Sequence, residues 1–230
     1  MNIRKYIELL FLLFLSPGLL KSQDIKATTD KAYGLDQTLY NGKKYNYFLP
    51  IGTKGNQYLL SAVFVNGSLT LKDKTYQEVS LNYDVFNQEL LLKYRDDRGS
   101  MNIIEVSKAW IKGFRMGNMN FEYLDLEKKP RYFQVLGEGE MRILFFWRKT
   151  FDLEGSGGSY YFAFSTPIRD SYVLMKDQLK PYSTNYNFIR IFDPEQRPEI
   201  KSYLHKNKIK VKKATDQEME QVINFISKLK

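Results

Sequence analysis

The sequence predicts a mainly β protein of the α+β class, a curved or partly closed antiparallel meander followed by a C-terminal helical section. Three observations lead there. Aromatic residues make up 15% of the chain, chiefly 17 Tyr and 16 Phe, and such side chains suit a pleated, half-buried surface. From Tyr40 to about Leu174, short apolar runs alternate with turn residues and no helical crossover separates them. After Asp193-Pro194 the apolar spacing becomes helical.

Taken in order, residues 1–22 read as a secretory signal peptide. Arg4 and Lys5 precede an apolar run from Tyr6 through Leu20, broken by Glu8, Ser16, Pro17 and Gly18 and too short for a comfortable span, and the small residue Ser22 is followed by a polar segment; an uncleaved N-terminal anchor is the alternative reading. No transmembrane span is expected in the mature chain. Residues 23–192 form the expected antiparallel β-rich domain, and 193–230 the helices packed on it. Within the β region, Asn66-Gly67 between LLSAVFV and SLTL predicts a two-residue hairpin, with a second turn at Lys72 to Lys74. Val79, Leu81, Tyr83 and Val85 alternate with Glu78, Ser80, Asn82 and Asp84, the period of a strand with one wet face. Asn87-Gln88 and the run RDDRG reverse the chain twice more. RYFQVLG and EMRILFFWRKTF form a further hairpin about Glu138-Gly139, and Ile143 to Trp147, apolar on both faces, is central. Residues 154–159 read as a flexible connection, and a strand is expected near Tyr172 to Met175.

In the last section Asp193 is the expected N-cap of a helix, with Pro194 in its first turn, Ile200, Tyr203 and Leu204 on one face and Asn207 as its stop. KIKVKK then alternates in an extended link, Ile209 and Val211 one way and the lysines the other. Thr215 with Glu218 makes a capping box, and Met219, Val222, Ile223, Ile226 and Leu229 form a helical stripe.

Chemistry is sparse. The absence of cysteine rules out disulfides, thiol catalysis and thiolate metal sites. The single histidine, His205, falls late in a helix among lysines, where a surface position is expected. Two carboxylates across a bond suffice for a glycosidase, and Asp84 with Glu89, or Asp96 with Asp97, are the pairs to examine, although turn acids ordinarily cap their own backbone. No loop has calcium-binding spacing, and GSGGS lacks the Lys-Ser/Thr of a phosphate loop. Trp110, Trp147, Tyr160 and Tyr161 are the aromatics that could stack on a sugar or line an apolar groove, core packing being the plainer role for them. No catalytic residue, cofactor or metal is assigned.

The net charge is +9; residues 1–22 carry +2 of it, and Arg197 to Lys230 has nine Lys/Arg against four acids. For an exported chain nucleic acid is a poor partner, and an envelope protein or an anionic lipid or glycan is the expected one. Lys206, Lys208, Lys210, Lys212 and Lys213 are the candidate contacts, with a solvated face as the plainer reading. The succession LYNGKKYNYFLP, GSLTLKDKTYQEVSLNYDVFNQELLLKY, RYFQVLGEGE and IKSYLHKNKIKVKKATDQEMEQVINFI resembles a family of small exported proteins of Gram-negative bacteria over nearly the whole mature chain. That resemblance implies an envelope setting, in the periplasm or at the outer membrane, and brings no activity or catalytic residue with it. The expected function is therefore non-enzymatic envelope binding or assembly. The alternatives are a lipid- or glycan-binding module with an aromatic-lined cavity, and a carboxylate-dependent hydrolase.

Overall fold

The computed structural model describes residues 35–229, so the expected signal peptide lies outside the described residues. Eleven strands form one antiparallel sheet. They are β1 (Gly42–Lys44), β2 (Val65–Leu71), β3 (Lys74–Asp84), β4 (Glu89–Arg95), β5 (Met101–Val106), β6 (Ile111–Met116), β7 (Met119–Leu126), β8 (Lys129–Leu136), β9 (Met141–Arg148), β12 (Ile168–Met175) and β13 (Gln178–Tyr182). Their spatial order is β1-β5-β4-β3-β2-β6-β7-β8-β9-β12-β13, two meanders joined where β2 pairs with β6, and the sheet is open, with β1 and β13 at its edges. β10 (Phe151–Ser156) and β11 (Ser159–Phe164) make a separate hairpin. Three helices follow, α1 (Asn185–Arg190), α2 (Arg197–Lys206) and α3 (Asp216–Ile226).

Strand alternation distributes the core. Val79, Leu81 and Tyr83 of β3 point with Leu69, Phe114, Phe121 and Tyr132 into one apolar cluster over the first half of the sheet. Tyr83 meets Tyr132 at 5.5 Å between ring centroids, although β2, β6 and β7 lie between their strands. Ile143 and Phe145 of β9 and Val173 of β12 face a second cluster, closed by the three helices. On the opposite face Leu144, Phe133 and Leu174 form a third. β9 is thus apolar on both faces because both faces are covered, as its composition indicates.

Several expectations are corrected. Asn66-Gly67 is not a turn: it lies inside β2, where Gly67 pairs with Val79 on one side and Met116 on the other. A Cβ at Gly67 would stand 2.0 Å from the Arg115 carbonyl oxygen, so glycine serves close strand approach there. The alternate face of β3 is not uniformly wet, since Asn82 and Asp84 are buried. The segment before β2 covers them: the Asn82 amide donates to the Ser61 carbonyl at 3.0 Å, and the Tyr45 hydroxyl donates to Asp84 at 2.8 Å. Residues 154–159 are not a loose connection but the end of the β10–β11 hairpin, turned by Gly157 and Gly158 at φ 61° and 86°. Strand β13 and helix α1, absent from the sequence reading, precede residue 193. α2 starts later than expected, with Gln196 as N-cap and Pro198 in the first turn, because Asp193 to Gln196 close a turn of their own. Residues 211–213 are a turn rather than an extended link, yet Ile209 and Val211 point inward and the lysines outward as expected. The Thr215–Glu218 capping box is present, and Met219, Val222, Ile223 and Ile226 are buried.

The first described turn is tied down by Asp36, which accepts from Lys74 Nζ at 2.7 Å, from Tyr76 and from the amides of Thr38 and Leu39. Burial pushes its pKa up, but these donors outweigh burial and hold it below the ordinary 3.8. A carboxylate with a depressed folded pKa contributes stability above its unfolded value, and that stability is lost as pH falls through the folded pKa. Asp36→Asn should therefore flatten the acid limb of stability below about pH 4, read from urea melts across pH. An acid limb identical to wild type would refute the assignment. Gly67→Ala should cost at least about 1–3 kcal/mol, through backbone displacement at β2–β6. Its urea midpoint should fall without a change in slope.

Candidate functional site: a basic groove on the helical section

The helical section is built around residues that bury one side and leave cations on the other. Thr184 caps α1 by accepting from the Asn187 amide at 3.1 Å, Phe188 enters the core, and Arg190 ends the helix, where a cation suits the helix dipole. In α2, Ile200 and Leu204 are buried, so Lys201, Ser202 and His205 face outward. The Asn207 amide donates to the Tyr203 carbonyl at 2.9 Å, and Lys208 then takes a left-handed conformation, φ 55°, that reverses the chain. Asn185 fixes the returning strand of chain to α1: its Nδ2 donates to the Ile209 carbonyl at 2.7 Å and its Oδ1 accepts from the Val211 amide at 2.9 Å.

Between α1, α2 and residues 208–210 runs a groove of about 1220 Å³. Tyr186, Ile189 and Pro198 supply its apolar surface over the buried Leu204 and Ile209, while Arg190, Arg197, Lys201, Lys208 and Lys210 supply its cationic groups and His205 an imidazole. Among the described residues no carboxylate lines it. The two arginines are oriented. Arg197 donates to the carbonyls of Phe192 at 2.9 Å and Arg190 at 3.3 Å, and Arg190 donates to the Tyr186 hydroxyl at 2.9 Å with its guanidinium over that ring.

The five lysines singled out from sequence do not form one face. All are exposed. Lys208 and Lys210 line the groove; Lys206, on the last turn of α2, does not. Lys212 borders a different hollow beside Arg169 and Asp170. Lys213 is a turn residue whose amide donates to the Lys210 carbonyl. Arg190 escaped sequence reasoning because α1 is only six residues long and carries no apolar period to announce it, and Arg197 and Lys201, within the expected second helix, because no local pattern places that helix against α1.

The other candidates serve local structure. Asp84 is fully buried and accepts from Tyr45, from Asn87 Nδ2 at 2.8 Å and from the amides of Phe86 and Asn87. Glu89 pairs with Lys108 at 2.5 Å. Asp96 accepts from the amides of Ser100 and Arg98 and from Asn102, and these donors, the Ser100 amide foremost, hold its pKa below the ordinary range. Asp84 and Glu89 are direct partners across β3 and β4, and Asp96 and Asp97 adjoin in the turn after β4. A second cleft, of about 930 Å³ beside α3, is lined by Glu122, Glu138, Glu140 and Glu220. Glu122 is paired with Arg142 at 2.8 Å and the other three are exposed. Among the described residues no cluster of three or more His, Cys, Asp or Glu is arranged for a metal ion. Of the aromatics, Trp147 donates its indole N–H to Gln134 at 2.8 Å, Trp110 borders a hollow with Tyr40 and Tyr94, Tyr161 lies under the Lys54 ammonium, and Tyr160 is exposed. No helix of the described residues is long and apolar enough to cross a membrane.

Comparison with family models, with curated proteins and with solved structures found no match.

Because Asn185 satisfies two backbone groups at once, Asn185→Ala should cost about 1–3 kcal/mol and raise amide exchange at Val211. Val211→Asp places a charge at a fully buried position and should cost more, roughly 3–5 kcal/mol, whereas Lys206→Glu with Lys213→Glu should stay within about 0.5 kcal/mol of wild type for each change. Chemical melts of the three proteins check the order.

Proposed function

We propose that the protein is an exported, non-enzymatic binding protein of the cell envelope, in which the sheet is a rigid platform and the helical section carries a face for anionic partners. The observation that carries this reading is the groove between α1 and α2, which gathers five Arg/Lys and His205 with no carboxylate among the described residues that line it. Cations held in place by a scaffold raise the local concentration of anions, and near a charged membrane surface each contributes about 1 kcal/mol.

The sheet itself is less suited to hold a ligand. Neighbouring strands lie about 4.8 Å apart, so Tyr83 and Tyr132, four strand spacings apart along the sheet, would be separated by roughly 19 Å if it were flat. Their 5.5 Å contact supports a sheet curled onto its own aromatic side chains. Tyr83, Phe114, Phe121 and Tyr132 are buried against one another there, which favours a filled core over an aromatic-lined cavity. The committed state of Asp84, Glu89 and Asp96 likewise favours binding over hydrolysis.

The test is co-sedimentation with vesicles. Wild type should bind vesicles containing phosphatidylglycerol and not purely zwitterionic ones. Binding should weaken at least tenfold in the Lys201→Glu, Lys208→Glu, Lys210→Glu triple variant, and also when salt is raised from about 0.15 M to about 1 M. Affinity insensitive to both the substitutions and salt would overturn the reading.

A further inference from the structure

We propose that the groove between α1 and α2 takes a single anionic amphiphile, its acyl chain along the apolar floor and its headgroup among the cations of the rim; this rests on the anion-binding reading above and names the ligand class. A site for a bare anion needs donors and no apolar wall, and a contact for an acidic polymer needs a polar track. This groove has neither character alone. Ile189, Leu204, Ile209 and Pro198 form an apolar lining, and Lys201, Lys208 and Lys210 supply cations beside it. Leu204 and Ile209, only 1% and 3% exposed, anchor the groove wall in the helical core, while Tyr186, Ile189 and Pro198 present the accessible apolar surface. Arg197, oriented by two backbone carbonyls, presents a guanidinium fixed before any ligand arrives, which lowers the ordering cost of binding. The space, about 1220 Å³, exceeds what a small anion fills and is ample for an alkyl chain with a headgroup. The occupant that matches both surfaces is a lipid monomer with an anionic head.

The probes are dodecyl phosphate below its micelle concentration, octyl phosphate, inorganic phosphate and dodecyl maltoside, titrated by calorimetry into the full folded chain. Each methylene moved from water to the floor strengthens binding about fourfold, so dodecyl phosphate should bind at least tenfold tighter than octyl phosphate. Inorganic phosphate and dodecyl maltoside should both bind more weakly than dodecyl phosphate. Ser202, exposed on the groove side of α2, is the position for a block: Ser202→Trp should abolish chain-length dependence while leaving the urea midpoint of the fold unchanged. If that variant fails to fold, the Lys201→Glu, Lys208→Glu pair serves instead, and should weaken dodecyl phosphate and not dodecyl maltoside. Equal binding of dodecyl and inorganic phosphate, equal binding of dodecyl maltoside, or dodecyl phosphate binding untouched by the block would each overturn the proposal. Failure of wild type to bind anionic vesicles would instead overturn the broader anion-binding reading, so the two failures are distinguishable.

Discussion

Gln134, fully buried near the end of β8, commits both halves of its amide: Oε1 accepts from the Trp147 indole at 2.8 Å and Nε2 donates to Asp216 at 2.6 Å. Asp216 stands in the first turn of α3, so this side chain ties the sheet directly to the start of the last helix. Arg169 of β12 completes the arrangement. It donates to the Ala214 carbonyl at 3.0 Å, lies 3.8 Å from Asp216 and stacks its guanidinium 4.0 Å from the Phe145 ring. Leaving a buried amide without a partner costs about 1–3 kcal/mol, so a docking position that satisfies every member is selected over its neighbours.

The position of Gln134 explains its reach. Tyr132, Gln134 and Leu136 share one face of β8, and Tyr132 belongs to the core of the first meander while Leu136 belongs to the core beneath the helices. Trp147 packs against both. The polar seam therefore lies where two apolar clusters meet, and it ties the sheet to the first turn of α3. From α3 the order passes outward through Tyr203 of α2, whose ring stacks on Phe225 at 4.1 Å, and from α2 to the groove.

The charge arrangement has the same origin. Lysines at 208, 210 and 212 alternate with Ile209 and Val211, and the apolar members are buried at 3% and 0% exposure. Burial of those two turns the lysines outward whatever the backbone does between them, but where each lysine then stands depends on the turn at 211–213 and on the left-handed Lys208. Lys208 and Lys210 consequently join cations from α1 and α2, while Lys212 is carried to the far side beside Arg169.

What the sequence by itself determined is what local patterns encode. The antiparallel β class, the doubly covered β9, the capping box of α3 and the inward and outward residues of the last section follow from periods of two or 3.6 and from side chains that cap their own backbone. Tertiary structure decided the rest. Glu127-Lys128 and Lys176-Asp177 turn hairpins at positive φ without the Asn-Gly signal, while Asn66-Gly67, which has that signal, sits inside a strand because β6 approaches too closely for a Cβ. Asp84 became a buried anchor because a distant segment brought Tyr45 to it. The groove is of this second kind: its cations come from two helices and a turn, and only long-range packing of α1 against α2, directed by burial of Phe188, Leu204 and Ile209 in one core, brings them together.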